Sequence, residues 1–217
     1  MGILSDAELQ ALTLSLRVAL VAVLADLPFA FLCALVLARR QFRGKAILDG
    51  IVHLPLVLPP VAIGYLLLVA LGTRAPLGHW FLETLGIRFA FSWTGAALAA
   101  ALLTFPFQVR AIRLALEAQE PGLSQAAATL GANRWDRLFS LHLPLALPGI
   151  VGGAVTAFAA SLGEFGAIIT FVGNIPGETR TLPLAIYTAI QTPGGEEVAA
   201  RLAALSIVLA LAGLLRL

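Results

Sequence analysis

Groups able to do chemistry are sparse in this chain and widely spaced. Asp26 and Glu164 are carboxylates set inside long apolar runs. An acid at the centre of a bilayer costs about 2.5–3.5 kcal/mol on insertion scales, so each needs a partner or water. Structural pairing or a gate hydrogen bond would meet that need for either acid. His53, His79 and His142 lie in different regions without ligand spacing, so no metal site is expected. The lone Cys33 sits in an apolar run, which excludes a disulfide framework and reads as a packed small residue. No nucleophile–base grouping occurs, and no GxxxxGK[ST] phosphate loop, so the chain has no catalytic site and no ATPase site of that type. Thr156, Ser161 and Thr170 offer neutral hydrogen bonds that suit either a polar path or contacts between helices. Pro55, Pro59 and Pro60, with Gly64, free backbone carbonyls that are tolerable at membrane depth only beside other helices or a wet cavity. A kinked packing helix and a pathway or gate both account for them.

The elements holding these groups must be helices in a membrane. Of 217 residues, 59% are hydrophobic and 12% charged, with a mean hydropathy of +0.94. Soluble domains carry about twice that share of charge. The sequence predicts an all-α polytopic membrane protein of about five spans, at 9–38, 46–71, 93–116, 144–172 and 198–217, forming a single domain over 1–217. The first apolar stretch is too long for a signal peptide and is expected to stay attached. Arg39, Arg40, Arg43 and Lys45 follow the first span; Arg110, Arg113, Arg134 and Arg137 group around the third connection. The remaining loops hold Arg74, Arg88 and Arg180. Cytoplasmic loops collect Lys and Arg, which places the N-terminus outside and the C-terminus in the cytoplasm. That bias, rather than nucleic-acid binding, explains the net charge of +2.

One polar insert interrupts the apolar pattern: residues 125–144, QAAATLGANRWDRLFSLHLP. Pro121–Gly122 should end the preceding helix, and Ser124 can cap a short one through Leu130. Gly131 suits the left-handed residue that closes a helix. Asn133 and Asp136 are spaced as a capping box. Trp135, Leu138 and Phe139 then share one face, and Pro144 begins the next span. Two helices this short need something to pack against. Either they cap the bundle at the lipid surface or they meet a partner.

The spacing Ala126–Ala127, Gly131, Leu141, Leu143–Pro144 resembles the cytoplasmic E-A-A-x3-G-x9-I-x-L-P loop of ABC-importer permeases, with Gln125 where Glu is usual and Leu141 where Ile is usual. Three longer stretches, HLPLVLPPVAIGYLLL (53–68), FPFQVRAIRLALEAQEPGLSQAAATLGA (105–132) and SLGEFGAIITFVGNIPGETRTLPLAIYTAIQTPGGE (161–196), resemble the molybdate-type permease. The resemblance implies an ABC importer type I permease fold and a coupling loop at about 117–143. In it Gln125, Ala126, Ala127, Gly131, Trp135, Leu138, Phe139, Leu141, Leu143 and Pro144 would meet the ATPase. It further implies a homodimer in the bacterial inner membrane and two cytoplasmic ATPase subunits that bind ATP and Mg. An external molybdate-binding protein would feed transport by alternating access. No cofactor is implied in this chain. Pro59, Pro60, Gly64, Thr156, Ser161, Glu164 and Thr170 are the pathway or gate candidates. Molybdate and tungstate are near-isosteric and not separable here; a sulfate or thiosulfate permease is the alternative. An ion-coupled carrier would be expected to show coupling carboxylates and inverted repeats. The loop 172–183 is expected to form an ordered external turn or a docking surface through Glu178 and Arg180.

The sidedness is testable. In a Cys33→Ser background, Asn133→Cys should react with an impermeant thiol reagent only from the cytoplasmic side of sealed vesicles. Reaction from the outside alone would overturn the orientation.

Overall fold

The computed structural model describes residues 4–214, and all regular structure among them is helical. Helix α1 (Asp6–Arg39) opens with a capping box, in which Ser5 N–H donates to Glu8 Oε2 at 2.6 Å and Ser5 Oγ accepts from Glu8 N–H. Glu8 is buried, and its Oε1 accepts from Arg201 Nε and Nη2 at 2.9 and 2.7 Å. That pair ties the start of α1 to α11 (Glu196–Leu214).

Helix α5 (Trp93–Glu117) is the centre of the bundle. Helices α1, α2 (Lys45–Val57), α3 (Pro60–Leu71), α8 (Leu143–Leu162) and α9 (Gly166–Val172) all pack on it. Its N-terminal half buries Gly95, Ala96, Ala97, Ala99, Ala100 and Ala101, so neighbouring backbones approach closely. Small residues replace hydrophobic drive between helices in lipid, where tails are as apolar as leucine. Gly149 and Gly153 of α8 lie on Ala111, Ala115 and Gln108 of α5; a Cβ at Gly149 would stand 2.5 Å from Ala115 Cβ. Gln108 is fully buried and donates through Nε2 to the Val23 carbonyl at 3.4 Å, cross-linking α5 to α1 near its internal Pro28. Arg17, a charge within α1, lies 3.7 Å from the centre of the Trp93 ring, a cation–π contact.

Two of the expected spans are interrupted. The 46–71 segment is α2 and α3, bent by 109°. Leu58 and Pro59 are extended at the break. Two consecutive prolines remove two N–H donors, and each disfavours helical geometry in the residue before it. The 144–172 segment stops at Leu162, turns through Gly163–Phe165 and resumes as α9. Among the described residues three helices are long and apolar enough to cross a bilayer: α1, α5 and the continuous Arg134–Leu162; the bent pair makes a fourth if taken as one span. The expected 198–217 span falls on α11, which carries Glu196, Glu197 and Arg201 in its first two turns; residues 215–217 lie outside the described residues. Helix α4 (Pro76–Leu85) and helix α10 (Leu182–Gln191) are short.

The α3–α9 contact is tight enough to test. A Cβ on Gly64 would stand 2.6 Å from the Ala167 carbonyl oxygen, whereas one on Gly50 of α2 meets nothing within 4 Å. Gly64→Ala should destabilise the detergent-solubilised protein by about 1–3 kcal/mol. Gly50→Ala should be neutral or stabilising by up to about 1 kcal/mol, by helix propensity alone. Thermal unfolding of the two variants checks this.

Candidate functional site

The polar insert is built as α6 (Pro121–Thr129), a glycine elbow and α7 (Arg134–Arg137). Helix α6 starts one residue after Glu120, so Ser124 is not its cap. Pro121 takes the first helical position, where its missing N–H and fixed φ are no handicap. Ser124 instead accepts from Arg137 Nη1 through its carbonyl and hydroxyl oxygens, both at 3.4 Å, which closes α6 against α7. Gly131 has φ +89°, as the spacing predicts, and a Cβ there would meet nothing within 4 Å. Asn133 Oδ1 accepts from the Trp135 and Asp136 amides at 2.8 and 3.0 Å, and its own N–H donates to Asp136 Oδ2. The capping box is therefore complete.

Trp135 and Phe139 stack with centroids 6.2 Å apart and stand 68% and 61% exposed. Leu130, beside the elbow, is 88% exposed. Sequence reasoning passed over Leu130 because it falls between the fixed positions of the loop pattern. Gln125 and Ala126 are exposed, Ala127, Leu138, Leu141 and Leu143 are half-buried, and Pro144 is exposed.

Pro144 does not begin a separate helix. The chain runs as one helical rod from Arg134 to Leu162, with a π turn at Leu138–His142 in which the Leu143 N–H bonds the Leu138 carbonyl. Pro144 has no N–H to offer the carbonyl four residues earlier, and the wider turn absorbs that loss without a break. The insert is thus continuous with a bundle helix at one end.

A side-chain clamp ties that π turn to the ends of α5 and α1. Gln119 Oε1 accepts from Arg39 Nη2 at 2.6 Å and lies 2.8 Å from His142 Nδ1, while Gln119 Nε2 donates to the His142 carbonyl at 3.1 Å. With the Nδ1–H tautomer of His142 these three contacts are proper hydrogen bonds, and Arg39 Nη2, 3.3 Å from Nδ1, donates to Gln119 rather than to the ring. The ends of α1, α5 and the rod meet here. These residues are 80 and 103 positions from Arg39, so no local pattern signals the clamp.

The pathway candidates divide. The two helix breaks lie side by side: Pro60 and Gly64 of α3 face Gly166, Ala167 and Thr170 of α9. Pro59 sits at the N-cap of α3 and is exposed. Glu164, at the α8–α9 break, accepts the Ala167 amide at 2.8 Å, so the partner of this half-buried acid is the start of a helix rather than a cation. Thr170 Oγ1 donates to the Gly166 carbonyl, Ser161 is buried with no partner for its hydroxyl among the described residues, and Thr156 is exposed and bonds within α8. Thr156 is therefore not gathered at the break. Asp26 is half-buried, and its Oδ2 has no hydrogen-bond partner among the described residues.

Residues 27–216 match the family model for the binding-protein-dependent transport system inner membrane component. The chain belongs to that family. It is 61% identical over 213 residues to the molybdenum transport system permease protein of Escherichia coli (strain K12), covering 98% of this chain and 93% of that one. It is 54% identical to the protein of that name from Haemophilus influenzae, covering 96% and 91%. The sulfate transport system permease protein of Escherichia coli (strain K12) is 35% identical, over 83% of this chain and 66% of that one. Among solved structures, a bacterial alginate ABC transporter in complex with an alginate pentasaccharide-bound periplasmic protein superposes with a TM-score of 0.77 at 21% identity, over 97% of this chain and 77% of that one. An amino acid ABC transporter gives 0.64 at 18%, over 95% and 89%. The fold is that of an ABC importer type I permease.

In this inner membrane component the 172–183 loop is an ordered turn. Arg180 Nε donates to Asn174 Oδ1 at 2.8 Å, Asn174 Nδ2 donates to Thr188 at 2.8 Å, and Glu178 lies 3.5 Å from Arg88. Both charged side chains considered for docking thus already have partners.

Removing the clamp should loosen the insert alone. Gln119→Ala loses hydrogen bonds to a charged donor and to backbone, about 1–2 kcal/mol, so amides 134–142 should exchange roughly tenfold faster while the α5 core does not. Hydrogen-exchange mass spectrometry checks it; unchanged exchange in 134–142 would remove the clamp from the account.

Proposed function

We propose that this chain is the permease subunit of an ATP-driven importer that moves molybdate, or the near-isosteric tungstate, into the cytoplasm. Two copies form the path, with two cytoplasmic ATPase subunits that bind ATP and Mg and an external binding protein that delivers the anion. The Lys/Arg asymmetry supports an N-terminus outside and an insert in the cytoplasm. The identity of 61% to a molybdenum permease against 35% to a sulfate permease favours molybdate over sulfate.

The observation that carries the coupling role is the exposed Trp135–Phe139 stack at the head of the continuous 29-residue Arg134–Leu162 rod. An exposed aromatic pair on a rigid element suits a protein groove. Such a rod is about 43 Å long at 1.5 Å per residue. ATPase closure against the stack would displace the rod, whose far end is the break beside Pro60 and Gly64. Without a helical hydrogen-bond ladder across Gly163–Phe165, that end can turn relative to α9. The pathway candidates supply hydroxyls and backbone rather than cations, which suits passage without tight retention, and selectivity then resides in the binding protein.

Reconstituted with its ATPase and binding protein, the permease should take up molybdate or tungstate in preference to sulfate. Sulfate uptake that excess molybdate fails to inhibit would move the assignment to the sulfate reading. For coupling, Gly131→Val should leave the protein in the membrane but uncouple ATP hydrolysis from transport, because a β-branched residue resists positive φ. Gly131→Asn separates the causes: Asn tolerates the left-handed region, so recovery of transport assigns Gly131 to the elbow, and continued failure assigns it to space for the partner. Normal transport by Gly131→Val would count against the coupling role.

A further inference from the structure

A cleft of about 680 Å³ separates the end of α1 from the insert, and its lining includes Arg39, Arg40, Arg134 and Arg137. No carboxylate lines it, and none of the four lies within 4 Å of a carboxylate among the described residues. Arg39 and Arg137 donate to neutral acceptors, the Gln119 amide and the oxygens of Ser124 and Asn133, so their charges are oriented but not neutralised. The rest of the wall is Leu35 and Val36 of α1 with Trp135 and Leu138 of the rod, joined by the polar Ser124 and His142. Below it along α1, Phe29, Leu32 and Val36 are 66%, 56% and 39% exposed. Their spacing of three and four puts them on one helix face leading away from the arginines.

We propose that this cleft binds the phosphate headgroup of an anionic phospholipid, with acyl chain laid along Phe29, Leu32 and Val36. Concentrated positive charge at the end of an apolar stripe matches an amphiphile with a phosphate head, and basic pockets between helices near the cytoplasmic surface are suited to such headgroups. Guanidinium forks add bidentate contacts to phosphate oxygens. A free phosphate shares the head chemistry but makes no use of the stripe. Bound there, the lipid would brace the clamped end of the insert against α1. The proposal rests on the cytoplasmic placement of this end but on neither the molybdate assignment nor the coupling role, so transport assays and lipid binding fail independently.

The test titrates the purified permease in neutral detergent with cardiolipin, phosphatidylcholine or inorganic phosphate at constant ionic strength. It reads lipid adducts by native mass spectrometry and the thermal midpoint. Cardiolipin should bind and raise the midpoint, while phosphatidylcholine and phosphate should not. Arg40→Gln/Arg134→Gln should weaken cardiolipin roughly tenfold or more, and Arg40→Lys/Arg134→Lys should restore most of it. Arg43→Gln/Lys45→Gln, which removes the same charge from the same end outside the cleft, should change it little. Equal weakening by the two charge-removing pairs would reduce the effect to general surface charge and overturn the site. An equal response to inorganic phosphate would make it a free-anion site and overturn the lipid assignment. Unchanged cardiolipin affinity in the Arg40/Arg134 pair, with weakened capture of the ATPase subunit, would give the cleft to that partner instead. A Phe29→Ser/Leu32→Ser pair reads the stripe separately: cardiolipin affinity should fall while the arginines remain, and no change would leave the acyl portion of the proposal without support.

Discussion

Lipid tails surround a membrane bundle with material as apolar as its own side chains, so helices there are held by contact distance rather than by escape from water. In this protein that contact is made on α5. Its alanine-rich N-terminal half and the Gly149 and Gly153 face of α8 bring backbones together, and a Cβ on either glycine would crowd a neighbour's Cβ or backbone. Gln108, fully buried in the same seam, adds a hydrogen bond to the Val23 carbonyl of α1. Because α1, α2, α3, α8 and α9 all rest on α5, its geometry fixes where both helix breaks lie.

Broken helices are expensive in a bilayer, since each leaves backbone groups without partners. The two breaks here share that problem by lying against each other. Glu164 supplies an acceptor to the Ala167 amide at the start of α9, and Pro60 begins α3 at a position that needs no donor. The tight Gly64–Ala167 approach then packs one restarted helix on the other. Such a junction has few hydrogen bonds along its axis and close packing across it. That suits relative rotation more than stretching, and it is the mechanical property the proposed importer needs at a gate.

The insert combines opposite properties. Its elbow at Gly131 is locally permissive, yet its C-terminal end is anchored twice: by helical continuity through the π turn and by the Gln119 clamp on His142 within that turn. A loosely tethered loop would dissipate a push. Under the proposed coupling role, a push on the exposed Trp135–Phe139 stack would travel along the rod to the break at its far end.

Much of this was legible in the residue order. The bilayer imposes long apolar runs, so membrane helices and their approximate places follow from composition. Turn and cap chemistry is local, so Gly131, Asn133 and Asp136 could be read from their spacing, and the resemblance of 125–144 to the E-A-A loop marked the insert as one unit. Tertiary structure alone decided the rest, because it depends on groups far apart in the chain. Pro59–Pro60 signalled a kink but not its 109° size, which the fit of α3 on α9 sets. Ser124 was spaced like a cap, but Pro121 had already begun the helix. Pro144 reads locally as a helix start, yet the fold carries the helix through it, since a π turn loses less than a break would. Arg39, Gln119 and His142 have no shared local pattern; only packing of α1 and the rod at the end of α5 brings them within hydrogen-bond distance.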